Sequence, residues 1–384
     1  MWQCLCFYLA EEEMSNELMK KLPSDIRVNN ISAIFNLLFP TIQMPRVELG
    51  NKIGLSRMAT SEVTGEMIRD HILREVGDDM REGRGKRSKV LAIDTSYWRV
   101  IVLDLSDSYA FKGAIMDLCG SIIKRIEVSS GNTDEEKVNK IIELCHNLAS
   151  ATERNILGIG VALAGIVNKD GTVVRSVRLN LTDFPIKKII EDATGIPTIV
   201  SHDTSVSLVA ERFFGRATEN SMLITVSGGV GASLYINDKI VSGSTFSAGE
   251  IGHIIVNPDG DVCNCGRRGC LESVLSEPIL RNRIAENPEN RDKILHDAGC
   301  TLGRIMSVPV GLLNLHDVAI YGASDIICQS FLDGMREEFH NNISNGYCEP
   351  PEVYRCSQGE DLVLRGQGVE VIRKMVPIIH RGIA

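Results

Sequence analysis

The chain has 384 residues, 43% of them hydrophobic and 24% charged, a composition typical of a soluble globular protein with two or three domains. Its apolar runs are shorter than the roughly 20 residues that a membrane-spanning helix requires, so we expect no membrane partner. Residues 1–10 are apolar but follow no basic leader and run into three glutamates, which argues against a signal peptide. We therefore expect a cytoplasmic protein whose true start is either Met1 or Met14.

The net charge of −9 argues against a general affinity for nucleic acid, but the charge is unevenly distributed. Residues 20–89 contain 13 basic and 9 acidic side chains, whereas the remainder contains 28 basic and 41 acidic ones. A small basic segment ahead of an acidic body is typical of a DNA-binding module joined to a separate effector domain.

The N-terminal segment has the pattern of a helix-turn-helix. Apolar spacing and capping residues predict three helices, over Ile26–Leu38, Arg46–Ile53 and from Ser56 to about His71. Gly50 is small where the second and third helices would cross, and Gly54 suits the tight turn between them. A third helix presented in this way fits the major groove of DNA, and its candidate contacts are Ser56, Arg57, Met58 and Ser61. The alternative is a three-helix bundle used only for packing or dimerisation.

A basic stretch interrupted by glycines follows the third predicted helix. Its cations Arg84, Lys86 and Arg87 are placed to contact phosphates or the minor groove as the wing of a winged helix. The alternative is a solvated interdomain linker, and one segment can serve both purposes.

From Val90 onward, apolar strands alternate with helices, which indicates an α/β body. Within this body, three cysteines lie in eight residues with a Cys-x-Cys-x4-Cys spacing, and a histidine stands ten residues upstream. Three thiolates and one imidazole form a closed tetrahedral set typical of structural zinc. The predicted ligands are His253, Cys263, Cys265 and Cys270. Since no coordination position is left for water, we expect a structural and not a catalytic metal.

The same segment carries the signature by which the chain resembles the ROK proteins (repressors, open reading frames and kinases). The signature consists of Gly249-Glu250-Ile251-Gly252-His253 and the cysteine-rich run 263–272, which ends at Glu272. Supporting matches are Gly195-Ile196-Pro197 before His202-Asp203, the run 210–215, and the late strand 313–322. The N-terminal helix-turn-helix matches the repressor branch of this family.

The resemblance implies an actin-like, ribonuclease-H-like body of two lobes with a sugar cleft between them. The expected domains are an N-terminal extension (1–20), a winged helix-turn-helix (21–88), a first lobe (89–201 with about 358–384) and a second lobe with the zinc knot (202–357). By resemblance, the residues that bind sugar hydroxyls are His202, Asp203, Glu250, His253 and Glu272. His202 stands where the family usually has asparagine, which leaves the identity of the sugar open.

The resemblance allows two functions, a sugar-responsive repressor or an ATP-dependent sugar kinase. The family's kinases open with an Asp-x-Gly-Gly-Thr loop whose backbone amides cradle phosphates, and we align it with Asp94-Thr95-Ser96-Tyr97, which lacks the glycines. We therefore expect no kinase activity and regard Asp203 as a vestigial catalytic base. The preferred function is a homodimeric or homotetrameric regulator that binds operator DNA and is released by a sugar or sugar derivative, although activation by the sugar remains open.

Overall fold

The computed structural model describes residues 23–79, 88–343, 346 and 349–381. The chain divides into two compact units, residues 1–98 with 373–384 and residues 99–372. We call the first the N-terminal unit and the second the body, and we describe each by itself. The expected N-terminal extension, residues 1–20, lies outside the described residues.

The N-terminal unit contains the three expected helices and a small sheet. The helices are α1 (Pro23–Leu38), α2 (Arg46–Ile53) and α3 (Arg57–Arg69). The strands are β1 (Met44–Pro45), β2 (Leu73–Asp78) and β3 (Lys89–Ile93). They form an antiparallel sheet in the order β1-β3-β2. Three helices with this sheet constitute a winged helix-turn-helix, as the sequence predicts.

The turn between α2 and α3 forms for the reasons visible in the sequence. Gly54 adopts a left-handed φ of 71°, which glycine tolerates without steric cost. Ser56 caps α3, and its hydroxyl accepts a hydrogen bond from the Ala59 amide at 3.2 Å. A Cβ on Gly50 would lie 2.4 Å from the Thr60 hydroxyl, so only glycine lets the two helices cross this closely.

The segment around Asp94 corrects one expectation from the sequence. The sequence predicts that it forms the phosphate loop at the start of the body, but its strand, β3, pairs with β1 and β2 of the N-terminal unit. The Tyr97 ring stacks on His71 with centroids 4.0 Å apart, and the Trp98 indole donates to the Asp70 carbonyl at 2.9 Å. These aromatic rings hold the end of α3 in place, a tertiary role that local spacing does not reveal.

The body contains two five-stranded sheets and one small three-stranded sheet. The strands of its first half are β4 (Trp98–Asp104), β5 (Ala110–Met116), β6 (Ile122–Ser129), β7 (Asn155–Leu163), β8 (Ile166–Val167), β9 (Val173–Ser176), β10 (Leu181–Phe184) and β11 (Thr198–His202). Those of its second half are β12 (Ser221–Val226), β13 (Val230–Ile236), β14 (Lys239–Ile240), β15 (Asp317–Gly322) and β16 (Glu352–Arg355).

The two large sheets have the same topology. Their strand orders are β11-β7-β4-β5-β6 and β14-β13-β12-β15-β16, and the small sheet has the order β10-β9-β8. In each large sheet, a central strand has two antiparallel-paired strands on one side and two later strands on the other. This repetition is the pattern expected of an actin-like body.

Helices cover these sheets. The α-helices of the body are α4 (Asp134–Ser150), α5 (Ile186–Thr194), α6 (Asp203–Phe214), α7 (Glu272–Leu275), α8 (Glu277–Glu286), α9 (Arg291–Leu313), α10 (Gln329–Ile343) and α11 (Leu362–Met375). Short 3-10 turns form in the body at Ile251–His253, Pro288–Asn290 and Gly359–Asp361, and in the N-terminal unit at Val376–Arg381. In the part of the chain that the structure describes, no helix combines the length and apolar character needed to cross a bilayer.

Each large sheet has its own apolar core. Leu103 and Leu144, from β4 and α4, are fully buried in the first core. Ile224, Leu302 and Phe331, from β12, α9 and α10, are fully buried in the second. Apolar side chains that leave water at these positions supply the main stabilisation of each half of the body.

Candidate ligand cleft and metal centre

The four predicted metal ligands, which all lie between residues 253 and 270, converge in space. One donor atom each from His253, Cys263, Cys265 and Cys270 lies within 4.8 Å of the other three. The histidine comes from the 3-10 turn Ile251–His253, and the cysteines come from the loop before α7. The sequence prediction that these residues form one cluster is therefore confirmed; the identity of the metal stays a prediction.

The spacing of the donor atoms fits a tetrahedral zinc ion. Zinc bonds of about 2.3 Å to sulfur and about 2.0–2.1 Å to nitrogen separate two sulfurs by about 3.8 Å and a sulfur from a nitrogen by about 3.6 Å. The sulfurs of Cys265 and Cys270 are 3.7 Å apart, and Cys263 Sγ is 3.7 Å from His253 Nδ1. The donor set and these two spacings therefore suit the metal that the sequence predicts.

The loop around the cysteines is shaped by a close backbone approach. Gly269 has a φ of 68°, and a Cβ there would lie 1.4 Å from the Asn257 carbonyl oxygen, which excludes every other residue. Hydrogen bonds from the backbone and side chain of Arg267 lower the pKa of Cys265 to about 6, whereas burial raises the pKa of Cys270 to about 11. The two thiols thus differ in how readily they lose a proton. A dication bound to both would favour the thiolate form of each.

A line of histidines and carboxylates leads from the cysteine cluster to the end of a strand. His253 Nε2 lies 4.0 Å from the Glu250 carboxylate, and His202 Nε2 lies 3.8 Å from the same group. His202 Nδ1 is in turn 3.5 Å from Asp203. Glu250 therefore faces both histidines, and His253 presents one ring nitrogen to the sulfurs and the other to the carboxylate.

His202 and Asp203 are placed by the junction of β11 and α6. β11 pairs parallel to β7, with His202 opposite Leu163 at the carboxyl end, the edge at which open α/β sheets bind ligands. Asp203 begins α6, and its Oδ1 accepts from the Thr204 amide at 2.7 Å. Its other carboxylate oxygen has no hydrogen bond among the described residues, so the helix start holds the side chain while leaving an acceptor for a ligand.

Glu272 lies beside a second turn, residues 227–229, which we call the glycine-rich turn. It begins α7, and its carboxylate accepts from the Val230 amide at 3.3 Å. A Cβ on Gly229 would lie 2.6 Å from this carboxylate, so the glycine allows the acid to approach. The turn itself closes the antiparallel hairpin of β12 and β13.

Three further residues of this region, Asp104, Ser106 and Arg178, are missed by sequence reasoning. The loop near Asp203 is the turn between β4 and β5, where the Ser106 amide donates to Asp104 at 2.9 Å. Burial raises the pKa of Asp104, and the charge of Asp203 adds to the shift. Arg178 donates from Nη1 to the Ser106 carbonyl at 3.0 Å, and its Nη2 would meet a Cβ on Gly228 at 3.2 Å.

Arg178 therefore spans the space between the β4–β5 turn and the glycine-rich turn. In the sequence, this loop is marked by Asp104-Leu105-Ser106, an Asp-x-Ser at the end of the apolar run that begins at Arg99. The residues of the turn, 105–109, are Leu-Ser-Asp-Ser-Tyr and include no glycine.

The candidate DNA contacts on α3 are exposed. Ser56, Arg57, Met58 and Ser61 all face solvent, and Met58 is 81% exposed. On the inner face of the same helix pair, Leu49 and Val63 are buried. The wing residues Arg84, Lys86 and Arg87 lie outside the described residues, so their role stays a prediction.

These features define a class of protein in which a winged helix-turn-helix precedes an actin-like α/β body that has two large sheets and a Cys3His cluster beside a candidate ligand cleft. The model of the ROK family matches residues 108–305. The chain belongs to the ROK family, which confirms the resemblance drawn from its sequence.

Comparisons with known proteins extend the likeness beyond the body. The chain is 27% identical over 279 residues to the xylose repressor of Caldicellulosiruptor bescii, covering 69% of each chain. It is 25% identical over 357 residues to the xylose repressor of Bacillus subtilis, covering 87% of this chain and 92% of the relative. Across the four xylose-repressor relatives, the aligned share of the relative ranges from 61% to 92%.

A crystal structure of a ROK family transcriptional regulator, a homologue of the Escherichia coli Mlc protein, has the same fold. It superposes with a TM-score of 0.74 at 21% identity and covers 92% of this chain and 97% of the other. The expected fold, a winged helix-turn-helix followed by an actin-like body, is thereby confirmed.

Proposed function

We propose that this protein is a sugar-responsive transcriptional repressor that binds operator DNA through α3 and is released by a sugar or sugar derivative bound in the cleft. The observation that carries the proposal is that one chain joins a winged helix with an exposed third helix to a cleft where carboxylates and histidines converge. Its likeness to xylose repressors along most of the chain supports the same function.

The cleft suits a polyhydroxylated ligand because its acceptors are charged and stand close together. Carboxylates form strong, charge-assisted hydrogen bonds with hydroxyl groups. Asp203 and Glu250 supply acceptors, while His202 and His253 supply ring nitrogens within 4.0 Å of those carboxylates. Glu272, held by the Val230 amide, adds an acceptor by the glycine-rich turn. These five residues are the proposed sugar contacts.

The Cys3His cluster is the proposed site of a structural zinc ion. Bound zinc supplies four fixed coordination bonds and no open position for substrate. The chain's own contribution is to orient His253, whose Nε2 then stays directed at Glu250. Metal binding and ligand binding share this histidine, so the order of the loop is linked to the order of the cleft.

Release from DNA requires that the sugar bind differently to two states of the protein. A ligand shifts a conformational equilibrium only by its difference in affinity for the two states. We propose that a homodimer or homotetramer places two winged helices at operator half-sites about one helical turn apart or a multiple of it, and that sugar binding favours the state that does not fit this spacing.

The other candidate function is an ATP-dependent sugar kinase, and one observation favours it: Asp203 keeps an available carboxylate oxygen beside the cleft. Against it, the turn near Asp203 contains no glycine, and the guanidinium of Arg178 lies between this turn and the glycine-rich turn. Incubation with ATP and a panel of sugars distinguishes the two functions. Sugar-dependent ADP release at about 1 s⁻¹ or faster, an ordinary enzyme turnover, would support the kinase.

The direct test starts from the purified full chain. A thermal-shift screen of sugars, sugar phosphates and sugar acids identifies the ligand, because a ligand that binds only the folded state raises Tm. DNA selected from random duplexes then serves as the operator in a fluorescence anisotropy titration. We expect the stabilising sugar to lower operator affinity. A sugar that raises Tm but leaves DNA binding unchanged would contradict the proposal.

A further inference from the structure

Helices α9 and α10 of the body pack against each other through glycines, which fixes the side chains beside their line of contact. A Cβ on Gly299 of α9 would lie 1.9 Å from the Phe331 carbonyl oxygen, and a Cβ on Gly334 of α10 would lie 2.2 Å from the His296 carbonyl oxygen. Backbones in such close contact cannot slide without a clash. Side chains that flank this contact are therefore held at a constant separation.

A cluster of three metal-ligating side chains stands beside this contact. His296 and Cys300 are four residues apart on α9, and thus on one face of the helix, while Glu337 comes from α10. His296 Nδ1 lies 3.6 Å from Cys300 Sγ, and its Nε2 lies 3.4 Å from Glu337. One donor atom from each of the three lies within 4.8 Å of the others.

The chemistry of this set suits a divalent transition metal. Imidazole, thiolate and carboxylate all bind zinc, and three protein ligands leave one position for water. Cys300 lies near one ring nitrogen of His296, and Glu337 lies near the other. A metal ion bound to one of these nitrogens therefore requires only that the side chain on the opposite side of the ring turn toward it. Both Glu337 and His296 have solvent on one side, with side chains 58% and 37% exposed, which gives them the room.

The charge around the cluster is also favourable for a dication. Asp297 lies 3.9 Å from His296 Nδ1, and Glu338 follows Glu337 along α10. Arg304 pairs with Glu338 at 2.6 Å and not with Asp297 or Glu337, so these two carboxylates are left to attract a dication. The alternative is an ordinary ion pair between a protonated His296 and Glu337, which would need no metal and would not involve Cys300.

We propose that His296, Cys300 and Glu337 form a second divalent transition-metal site, of the zinc type, that fastens α9 to α10. This site is separate from the Cys3His cluster and does not depend on the proposed function. It has three protein ligands and is partly exposed, so it exchanges its metal more readily than the closed cluster does.

The test counts metal ions on the full chain. The protein is dialysed to equilibrium against buffered free Zn²⁺ with excess Mg²⁺, which prefers oxygen ligands and competes poorly, and zinc per chain is measured by elemental analysis. We expect two equivalents for the parent and one for each of Cys300→Ser, His296→Gln and Glu337→Gln. The matched control is Cys328→Ser, another half-buried cysteine, which should keep two.

The outcomes separate the site from the ion pair. Equal zinc contents in the parent and all three variants would overturn the proposal and leave an ion pair only. The Glu337 side chain is 58% exposed, so Glu337→Gln should keep the fold intact even if Cys300→Ser or His296→Gln perturbs it. Thermal melts with and without Zn²⁺ add a second readout, in which the metal-dependent rise in Tm should be smaller in Glu337→Gln than in Cys328→Ser.

Discussion

At the scale of single residues, Glu250 is the group on which the proposed sugar response depends most. It faces His202 at 3.8 Å and His253 at 4.0 Å, so one carboxylate connects the strand end to the metal-ligand loop. Asp203 is held by the Thr204 amide. Neither Asp203 nor Glu250 belongs to the N-terminal unit. Mutations at these residues can therefore change ligand binding without changing the DNA-binding helices.

We expect Glu250→Gln and Asp203→Asn to produce a super-repressor that binds operator normally and responds weakly to sugar. Each change removes a carboxylate that accepts a hydrogen bond from a sugar hydroxyl, and so lowers sugar affinity by about 1–3 kcal/mol. Asp203→Asn keeps the oxygen that accepts from the Thr204 amide. The measurement is a gel-shift titration with the inducing sugar, and Glu286→Gln on the exposed end of α8 is the control. Equal release in all four proteins would show that the effector binds elsewhere.

Asp104 provides a prediction about pH. Burial raises its pKa, so the folded protein favours the protonated carboxyl, and ionisation at neutral pH costs stability. That cost appears as pH rises through the raised pKa and disappears below the unfolded value of about 3.9. We expect Asp104→Asn, which keeps an acceptor for the Ser106 amide, to raise Tm at pH 7.

The stabilisation of Asp104→Asn should shrink as pH falls toward 4, because both proteins are then neutral at this position. Thermal melts across this pH range give the difference directly. A gain in Tm that is constant with pH would show that the charge of Asp104 is not responsible.

At the scale of elements, α3 presents the proposed DNA contacts because its apolar side packs inward and Ser56 caps its start. We expect Arg57→Ala to lose discrimination between operator and mismatched DNA by roughly 1–3 kcal/mol, the contribution of a base-edge contact. Arg69→Ala, at the far end of the same helix, is the control and should keep discrimination. Competition binding with the two DNAs measures the difference.

The wing should act through phosphates and not through bases. Replacing Lys86 and Arg87 together with alanine should weaken binding to every DNA sequence about equally and flatten its dependence on salt. Measuring affinity for operator and random DNA at several salt concentrations tests this expectation. Parental affinity in both this double variant and Arg57→Ala would identify the N-terminal unit as a packing bundle.

At the scale of the whole molecule, the proposed zinc in the Cys3His cluster orders the loop that carries His253. Structural zinc contributes on the order of 10 kcal/mol to the folding of its ligands. We expect Cys265→Ala to lose this ion, to lower Tm, and to lose the sugar response before DNA binding, because His253 then no longer stays directed at Glu250. Elemental analysis after dialysis, a thermal melt and the sugar titration measure the three effects.

Cys119→Ala is the control for this variant, because Cys119 lies outside the cluster. Its zinc content and sugar response should match those of the parent. A parent protein without zinc after dialysis would contradict the assignment of the metal.

Several local features of this protein could be predicted from its sequence alone. The α2 bounds, the Ser56 cap, the Gly54 turn and the convergence of the four metal ligands all follow from residues close in the chain, where spacing and backbone preference act directly. The signature around Glu250 and the cysteines was also sufficient to identify the family.

Tertiary packing determines which strand belongs to which unit and which loop lies near Asp203. The run Val90–Ile93 reads as a buried strand in either sheet, and its pairing with β1 and β2 removes Asp94 from the body. The turn near Asp203 then proves to be the one after Asp104, and Arg178 reaches it from 72 residues away. Strand partners and cross-chain contacts of this kind depend on the packing of the whole chain, which local periodicity does not encode.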